Sequence, residues 1–301
     1  MVALPLTAFD CETYQIQDGL LAPPLVCGSA AEPEPGTERI LSREEAVAEF
    51  ERLLRESGRI IVGANIAYDM AVLMVAAPHL IPLVIEKYDR EEVYDVLIAQ
   101  GLNDIANGTF LLDPKTRFPL KHPDTGKRAE RYSLELTSSL ALGRHNAKEN
   151  DAYRLRYGEL ASIPMSQWPA VAIQYPKDDA RNTVDVARAQ IEQGYKNLGH
   201  LTREVRAALG MHLGAVHGLR TDPVRVAELQ KKTADQCAAY QQEFQAVGFL
   251  RPGGSEDTAK VKSRVARAYG ATNPCGKCAG TGKVPSPKTG KPIQCKACSA
   301  T

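Results

Sequence analysis

The first forty residues alternate between short apolar runs and turn-forming Pro and Gly, which predicts strands. Leu6, Ala8 and Phe9 sit in an extended run ending near Tyr14, and Leu25 to Ala30 and Glu38 to Leu41 are two further strand candidates. The period then changes. Ser42 with Glu45 forms a capping-box signature, and Val47, Phe50 and Leu54 give the apolar stripe of a helix that stops at Gly58. Arg59 to Gly63 reads as a short buried strand, followed by a helix over Ala67 to Val75. Three strands, a helix, a strand and a helix make an α/β order. Val93 to Asp104 is another apolar segment, in which Asp95 is placed to cap a helix. Residues 107–131 break the pattern with Gly, Pro, Lys and Arg and suggest a hairpin or mobile insertion, before Tyr132 to Leu142 returns to helical periodicity ending at Gly143. Val184, Ala187, Arg188 and Ile191 mark a further helix, with Pro176 suited to its first turn. Beyond it, Leu198, Leu201, Val205, Leu209 and Leu213 are spaced for one buried helical stripe, and Val226, Leu229, Cys237, Tyr240 and Phe244 for another.

The predicted elements carry an unusual set of carboxylates. Asp10 and Glu12 are two apart on a strand and project from the same face. No Lys or Arg occurs before Arg39, so the segment supplies no local counter-charge, and paired carboxylates in a partly buried place need a proton or a hard cation between them. Asp69 falls near a helix start after a strand, where the helix dipole favours negative charge and open α/β sheets place ligands. Tyr175 and Asp179 are four apart and share one helix face. Taken singly, an exposed Asp-x-Glu or an ordinary amphipathic face explains each pair. The basic residues Arg117, Lys121, His122, Lys127, Arg128 and Arg131 read by default as a solvated loop, with phosphate contact the alternative.

Taken together, the Asp-x-Glu of AFDCETY, the Asn-x-x-Tyr-Asp of NIAYDM and the Tyr-x-x-x-Asp of QYPKDDARNT resemble the 3′-to-5′ exonucleases of the DEDD superfamily, Tyr subclass. The likeness covers roughly residues 4 to 195 and includes the proofreading domains of A-family DNA polymerases. It implies a ribonuclease H-like mixed sheet flanked by helices, with Asp10, Glu12, Asp69 and Asp179 holding two Mg²⁺ or Mn²⁺ ions about 4 Å apart. Tyr175 would orient the attacking water rather than act as a strong base, since an unperturbed tyrosine has a pKa near ~10. By the same likeness Thr13 and Asn65 lie beside the terminal nucleotide of a DNA 3′ end, Ile16 wedges against its base, and Asp95 fits the family's additional acidic residue. The product would be nucleoside 5′-monophosphates, released one at a time from a single-stranded or mispaired end. The alternatives are a catalytically silent DNA-binding or partner-docking module and a degradative RNA or DNA exonuclease of the same superfamily.

The last hundred residues carry a second signal. Cys275-x-x-Cys278 and Cys295-x-x-Cys298, sixteen residues apart, suit one structural tetrahedral Zn²⁺. HGLRTDPVRVAEL, with Gly218 and Asp222, resembles the entry into the thumb of A-family polymerases, and the cysteine pairs resemble an insertion in some phage members. CGKCAGTG taken alone also resembles a cysteine-rich chaperone knuckle. Three domains are expected: an exonuclease domain over 1–195, a helical thumb-like segment over 196–262 and a basic four-cysteine zinc module over 263–301. No Asp or Glu follows Asp257, so no polymerase activity is expected of the chain alone; a polymerase partner would lie in cis or in a separate subunit.

Charge supports part of this picture. The chain has a net charge of only +1, but from Arg251 onward ten Lys or Arg face Glu256 and Asp257, leaving a net of −7 for residues 1–250. A basic tail beside an acidic body is consistent with backbone contacts to DNA. Cys11, Cys27 and Cys237 are isolated, and Cys11 should point away from Asp10 and Glu12 into the core. Asp10 interrupts the N-terminal segment before any signal-like apolar run forms, and no stretch approaches membrane-spanning length. A soluble, cytoplasmic protein with no membrane partner is expected.

Overall fold

The structure is a computed structural model and describes residues 5–123, 125–144, 153–195, 198–218, 221–268, 283–286 and 291–295. It divides into two compact units, Met1–Gly218 and Leu219–Thr301. Among the described residues no helix is long and apolar enough to cross a membrane.

The first unit is built on a five-stranded sheet of order β3-β2-β1-β4-β5, comprising β1 (Leu6–Thr13), β2 (Leu25–Ala31), β3 (Arg39–Ser42), β4 (Ile60–Gly63) and β5 (Val93–Asp95). β1 pairs antiparallel with β2 and parallel with β4, β2 pairs antiparallel with β3, and β4 pairs parallel with β5. This mixed sheet flanked by helices is consistent with the expected ribonuclease H-like architecture. The helices are α1 (Arg43–Arg55), α2 (Ile66–Ala76), α3 (Ile81–Asp89), α4 (Val96–Ala106), α5 (Leu134–Leu142), α6 (Ala170–Glu192) and α7 (Leu201–His217). α1 starts on the capping box read from sequence: Glu45 N–H donates to Ser42 Oγ at 3.3 Å and Ser42 N–H to Glu45 Oε2 at 2.8 Å. α5 ends at Gly143 in the left-handed conformation, as its position predicts. Residues 107–131 form bridged turns, Leu112 with Pro119 and Lys121 with Arg128, so the hairpin reading of that stretch holds.

β2 is buried along its whole length, and Phe9, Phe50, Ile61, Met70 and Leu73 form the centre of the main core. Asp95 caps α4 through the N–H groups of Leu97 and Ile98, and its other oxygen accepts from Ile66 N–H at 2.9 Å at the start of α2. One buried carboxylate thus ties two helix N-termini to the parallel edge of the sheet, the capping role that its position suggests.

Two expectations change in the first unit. Pro176 is not in a first turn; α6 begins earlier, at Ala170, and carries Pro176 in its interior. A proline there leaves the carbonyl of Ala172 without its helical donor. The hydroxyl of the fully buried Tyr157 donates to that carbonyl at 2.9 Å and replaces the missing bond. The second change concerns α7. Leu201, Val205 and Leu209 are buried against α2, α4 and β5, as the stripe predicts, so the boundary expected at 195 falls between two helices that both pack in the first unit.

The second unit contains α8 (Pro223–Ala246), α9 (Thr258–Ala268) and an antiparallel ribbon of β6 (Lys283–Pro285) and β7 (Pro292–Gln294). Asp222 caps α8, accepting from Val224 N–H at 2.9 Å. The apolar stripe expected to be buried on this helix is not: Val226, Leu229, Tyr240 and Phe244 are exposed, and α8 has no buried residue. The physical reason lies within the second unit, where no other helix or strand among the described residues packs along α8 and Phe244 meets Phe249 with ring centroids 6.2 Å apart. Of the four C-terminal cysteines, Cys295 is buried at the end of β7, while Cys275, Cys278 and Cys298 lie outside the described residues.

The Tyr157 contact generates a test. Tyr157→Phe leaves a buried carbonyl without a donor and should cost about 1–3 kcal/mol in urea unfolding. In a Pro176→Ala background, where a backbone N–H returns, the same change should cost clearly less; an equal loss in both backgrounds contradicts the substitution of one donor for the other.

Candidate active site

Asp10, Glu12, Thr13, Ile16, Asn65, Tyr175 and Asp179 all line a single cavity of about 570 Å³ in the first unit. Three local features bring them there. β1 presents Asp10 and Glu12 on one face, while Cys11 between them turns into the core, its Sγ against the Asp69 carbonyl at 4.0 Å. The junction of β4 and α2 is tight: a Cβ on Gly63 would lie 2.4 Å from the Ile66 side chain, so only glycine lets the chain turn there. Asn65 follows with φ of 66°, a left-handed conformation that Asn tolerates better than most residues, so its side chain lines the cavity from a backbone-constrained position.

α6 brings Tyr175 and Asp179 over the same face. Its rotation is fixed two residues further on by Arg181, which donates to the carbonyls of Glu32 and Glu34 at 2.5 and 2.8 Å, to Thr37 Oγ1 at 2.9 Å and to Glu38. Asp185 extends the clamp by accepting from Arg144 at 2.7 Å. The helix bearing the third motif is therefore locked to the β2–β3 turn.

Asp69 is placed differently from the others. It is only 2 % exposed and does not line the cavity; its Oδ1 accepts the backbone N–H of Cys11 at 2.9 Å, and it lies within electrostatic reach of Asp10 and Glu12. Among the described residues no three His, Cys, Asp or Glu side chains close on a common point as metal ligands do.

The electrostatics are those of crowded, buried acids. Burial and then the neighbouring Asp179 raise Asp10 from 3.8 to about 8. Burial, followed by Asp10, Asp179 and Asp69, raises Glu12 well above its ordinary range, and burial with Asp10 does the same to Asp69. Burial and the carboxylates of Asp179 and Glu12 push the Tyr175 phenol upward, and its hydroxyl hydrogen-bonds to Asp179, so Tyr175 keeps its proton and serves as a donor. In chemical type these oxygen donors are those a hard divalent cation takes, and such an ion, if bound, would remove the repulsion that protonation otherwise has to relieve.

Several lining residues carry no sequence signature. Arg154 and Leu155 come from the turn before Tyr157, Arg131, Tyr132 and Ser133 from the approach to α5, and Glu135 from its first turn. Arg131 is the one member of the basic 107–131 group among the lining residues. Tyr68, adjacent to Asp69 in sequence, shares a 2.5 Å hydrogen bond with Thr13 Oγ1 and packs edge-on against His212 of α7, ring centroids 6.0 Å apart. Its position in NIAYDM was the one available signal. Tyr14 packs against Gly158, where an added Cβ would come within 2.6 Å of the ring.

No protein-family model matches the chain, and no curated protein matches it. Among solved structures, Escherichia coli RNase D, described as an exoribonuclease involved in structured RNA processing, superposes with a TM-score of 0.44 at 12 % identity over 69 % of this chain. The chain spans 45 % of that structure's length. A second structure, described as the apo form of a nuclease, gives a TM-score of 0.40 at 14 % identity, covering 68 % of this chain and 84 % of that one.

The raised acids make the site pH-sensitive. Between 3.8 and about 8 the folded chain retains a proton on Asp10 that the unfolded chain releases. This contribution to stability is therefore fully present below 3.8 and lost as pH rises through 8. Asp10→Asn should raise the melting temperature of the metal-free chain at pH 8 and leave it nearly unchanged at pH 4. A destabilised variant at pH 8 contradicts the repulsion.

Proposed function

We propose that this chain is a metal-dependent 3′-to-5′ exonuclease that removes nucleoside 5′-monophosphates from single-stranded or mispaired DNA 3′ ends, the proofreading component of an A-family, phage-like polymerase. The observation that carries the reading is that carboxylates from motifs separated by more than a hundred residues meet electrostatically at one cavity. A silent module has no physical reason to keep repelling acids together in a buried place.

In this reading Asp10, Glu12, Asp69 and Asp179 hold two Mg²⁺ or Mn²⁺ ions. Bound there, the ions supply an activated water and neutralise charge on the scissile phosphate. Tyr175 keeps its phenolic proton, hydrogen-bonds to Asp179 and orients the incoming water. Thr13 and Asn65 meet the terminal nucleotide, and Ile16, half exposed at the cavity wall, stacks on its base. The partners are a DNA 3′ end and a polymerase module, in cis or as a separate subunit.

We further propose that Cys275, Cys278, Cys295 and Cys298 hold one structural Zn²⁺. Support comes from the paired spacing, from the β6–β7 ribbon that folds back the stretch between the pairs, and from the burial of Cys295.

Asp10→Ala and Asp179→Ala should each abolish Mg²⁺-dependent release of mononucleotides from a labelled single strand while leaving the far-ultraviolet spectrum unchanged; persistent release removes the mechanism. Running matched DNA and RNA strands with Mg²⁺, Mn²⁺ or chelator separates a DNA enzyme from an RNA-trimming one and from a silent module. Tyr175→Phe should slow release by up to about 100-fold, the size of a misplacement effect, without weakening metal binding. Elemental analysis should return about one zinc per chain, lost when the cysteines are replaced.

A further inference from the structure

A second cavity of about 380 Å³ opens beside the one that gathers the carboxylates. Tyr14, Gln15 and Leu155 line both, so the two share a wall. On one side the chain between β1 and β2 folds back on itself: Tyr14 N–H donates to the Pro24 carbonyl at 3.1 Å, and Leu20 N–H to the Gln17 carbonyl at 2.9 Å, across a turn in which Gly19 has φ of 77°. On the other side the turn after Leu155 is closed by Glu159 N–H, which donates to the Arg156 carbonyl at 2.9 Å, and is held by the fully buried Tyr157. The two sides meet where Tyr14 packs against Gly158, a contact close enough that an added Cβ would displace the ring.

The lining suits an uncharged ligand. Its charged residues, Arg156 and Glu159, are paired with each other, Nε to Oε1 at 2.8 Å and Nη2 to Oε2 at 2.7 Å, and the guanidinium also lies over the Tyr153 ring, 5.6 Å from its centroid. That pair carries no net charge to draw in a phosphate or a metal ion. Around it stand an aromatic ring, the aliphatic Leu20 and Leu155, and the amides of Gln15 and Gln17. Tyr14 is 42 % exposed and Leu155 67 %, which leaves area for a ligand to cover. Every nucleobase has a π-face to stack on such a ring, and an amide, which both donates and accepts, can meet any base edge.

We propose, on the nuclease reading above, that the second cavity receives the base of the penultimate nucleotide while the terminal nucleotide lies among the carboxylates, with Tyr14 as the stacking platform in the wall between them. A base seated there cannot stay paired. The site therefore selects ends at which the last two nucleotides are both unpaired, and Tyr14 is a specificity-determining residue apart from the metal-holding acids.

The test is Mg²⁺-dependent release of mononucleotides by the full chain from short single strands that differ in one base. In one strand the penultimate nucleotide is abasic; in a control the abasic nucleotide is the one furthest from the 3′ end. The parent should lose about tenfold in kcat/KM on the first strand, as expected for one base–aromatic stack, and nothing on the control. Tyr14→Ala should not distinguish the strands, whereas Tyr14→Phe, which keeps the ring, should respond as the parent does. A parent indifferent to the penultimate base, or a Tyr14→Ala that keeps the tenfold response, overturns the proposal alone. No release by the parent from any strand overturns the nuclease reading and the proposal with it.

Discussion

The constraint from which the rest follows is the repulsion between carboxylates that the fold forces into one buried place. Asp10 and Glu12 share a strand face because strands alternate, and Asp179 is carried over that face by a helix that Arg181 locks in rotation. Left alone, such a group relaxes only by taking up protons, which is why burial and mutual charge raise Asp10, Glu12 and Asp69 together. A folded chain gains nothing in stability from this arrangement. On the proposed reading, a ligand of opposite charge would relieve it.

Much of the structure serves to hold this unfavourable arrangement in place. Asp95 joins the starts of α2 and α4, and so fixes the helix bearing Asp69. Gly63 and the left-handed Asn65 set the angle at which that helix leaves the sheet. Tyr157 repairs the gap that Pro176 opens in α6 and at the same time anchors the turn bearing Arg154. α7 backs the site through His212 and Tyr68.

The fold was legible in sequence wherever periodicity and local chemistry agreed. The capping box at Ser42, the alternation around Asp10, the stop at Gly143 and the Leu201, Val205 and Leu209 stripe each encode their outcome within a few residues. α6 was harder, because the donor that permits an internal proline lies far away in sequence, at Tyr157. The stripe on α8 is amphipathic by spacing, yet spacing states only which residues share a face and not whether anything covers it. The same limit applies to the site. Its acids could be read because they come in motifs, whereas Arg154 and Tyr132 reach the cavity through tertiary packing of irregular segments that carry no repeat.

The central claim is that the acids converge to hold a pair of hard cations, and anomalous diffraction from crystals of the full chain grown with Mn²⁺ addresses it most directly. The account predicts two manganese peaks about 4 Å apart, bounded by Asp10, Glu12, Asp69 and Asp179. A cavity free of manganese, with those carboxylates unchanged at a saturating concentration, would contradict it.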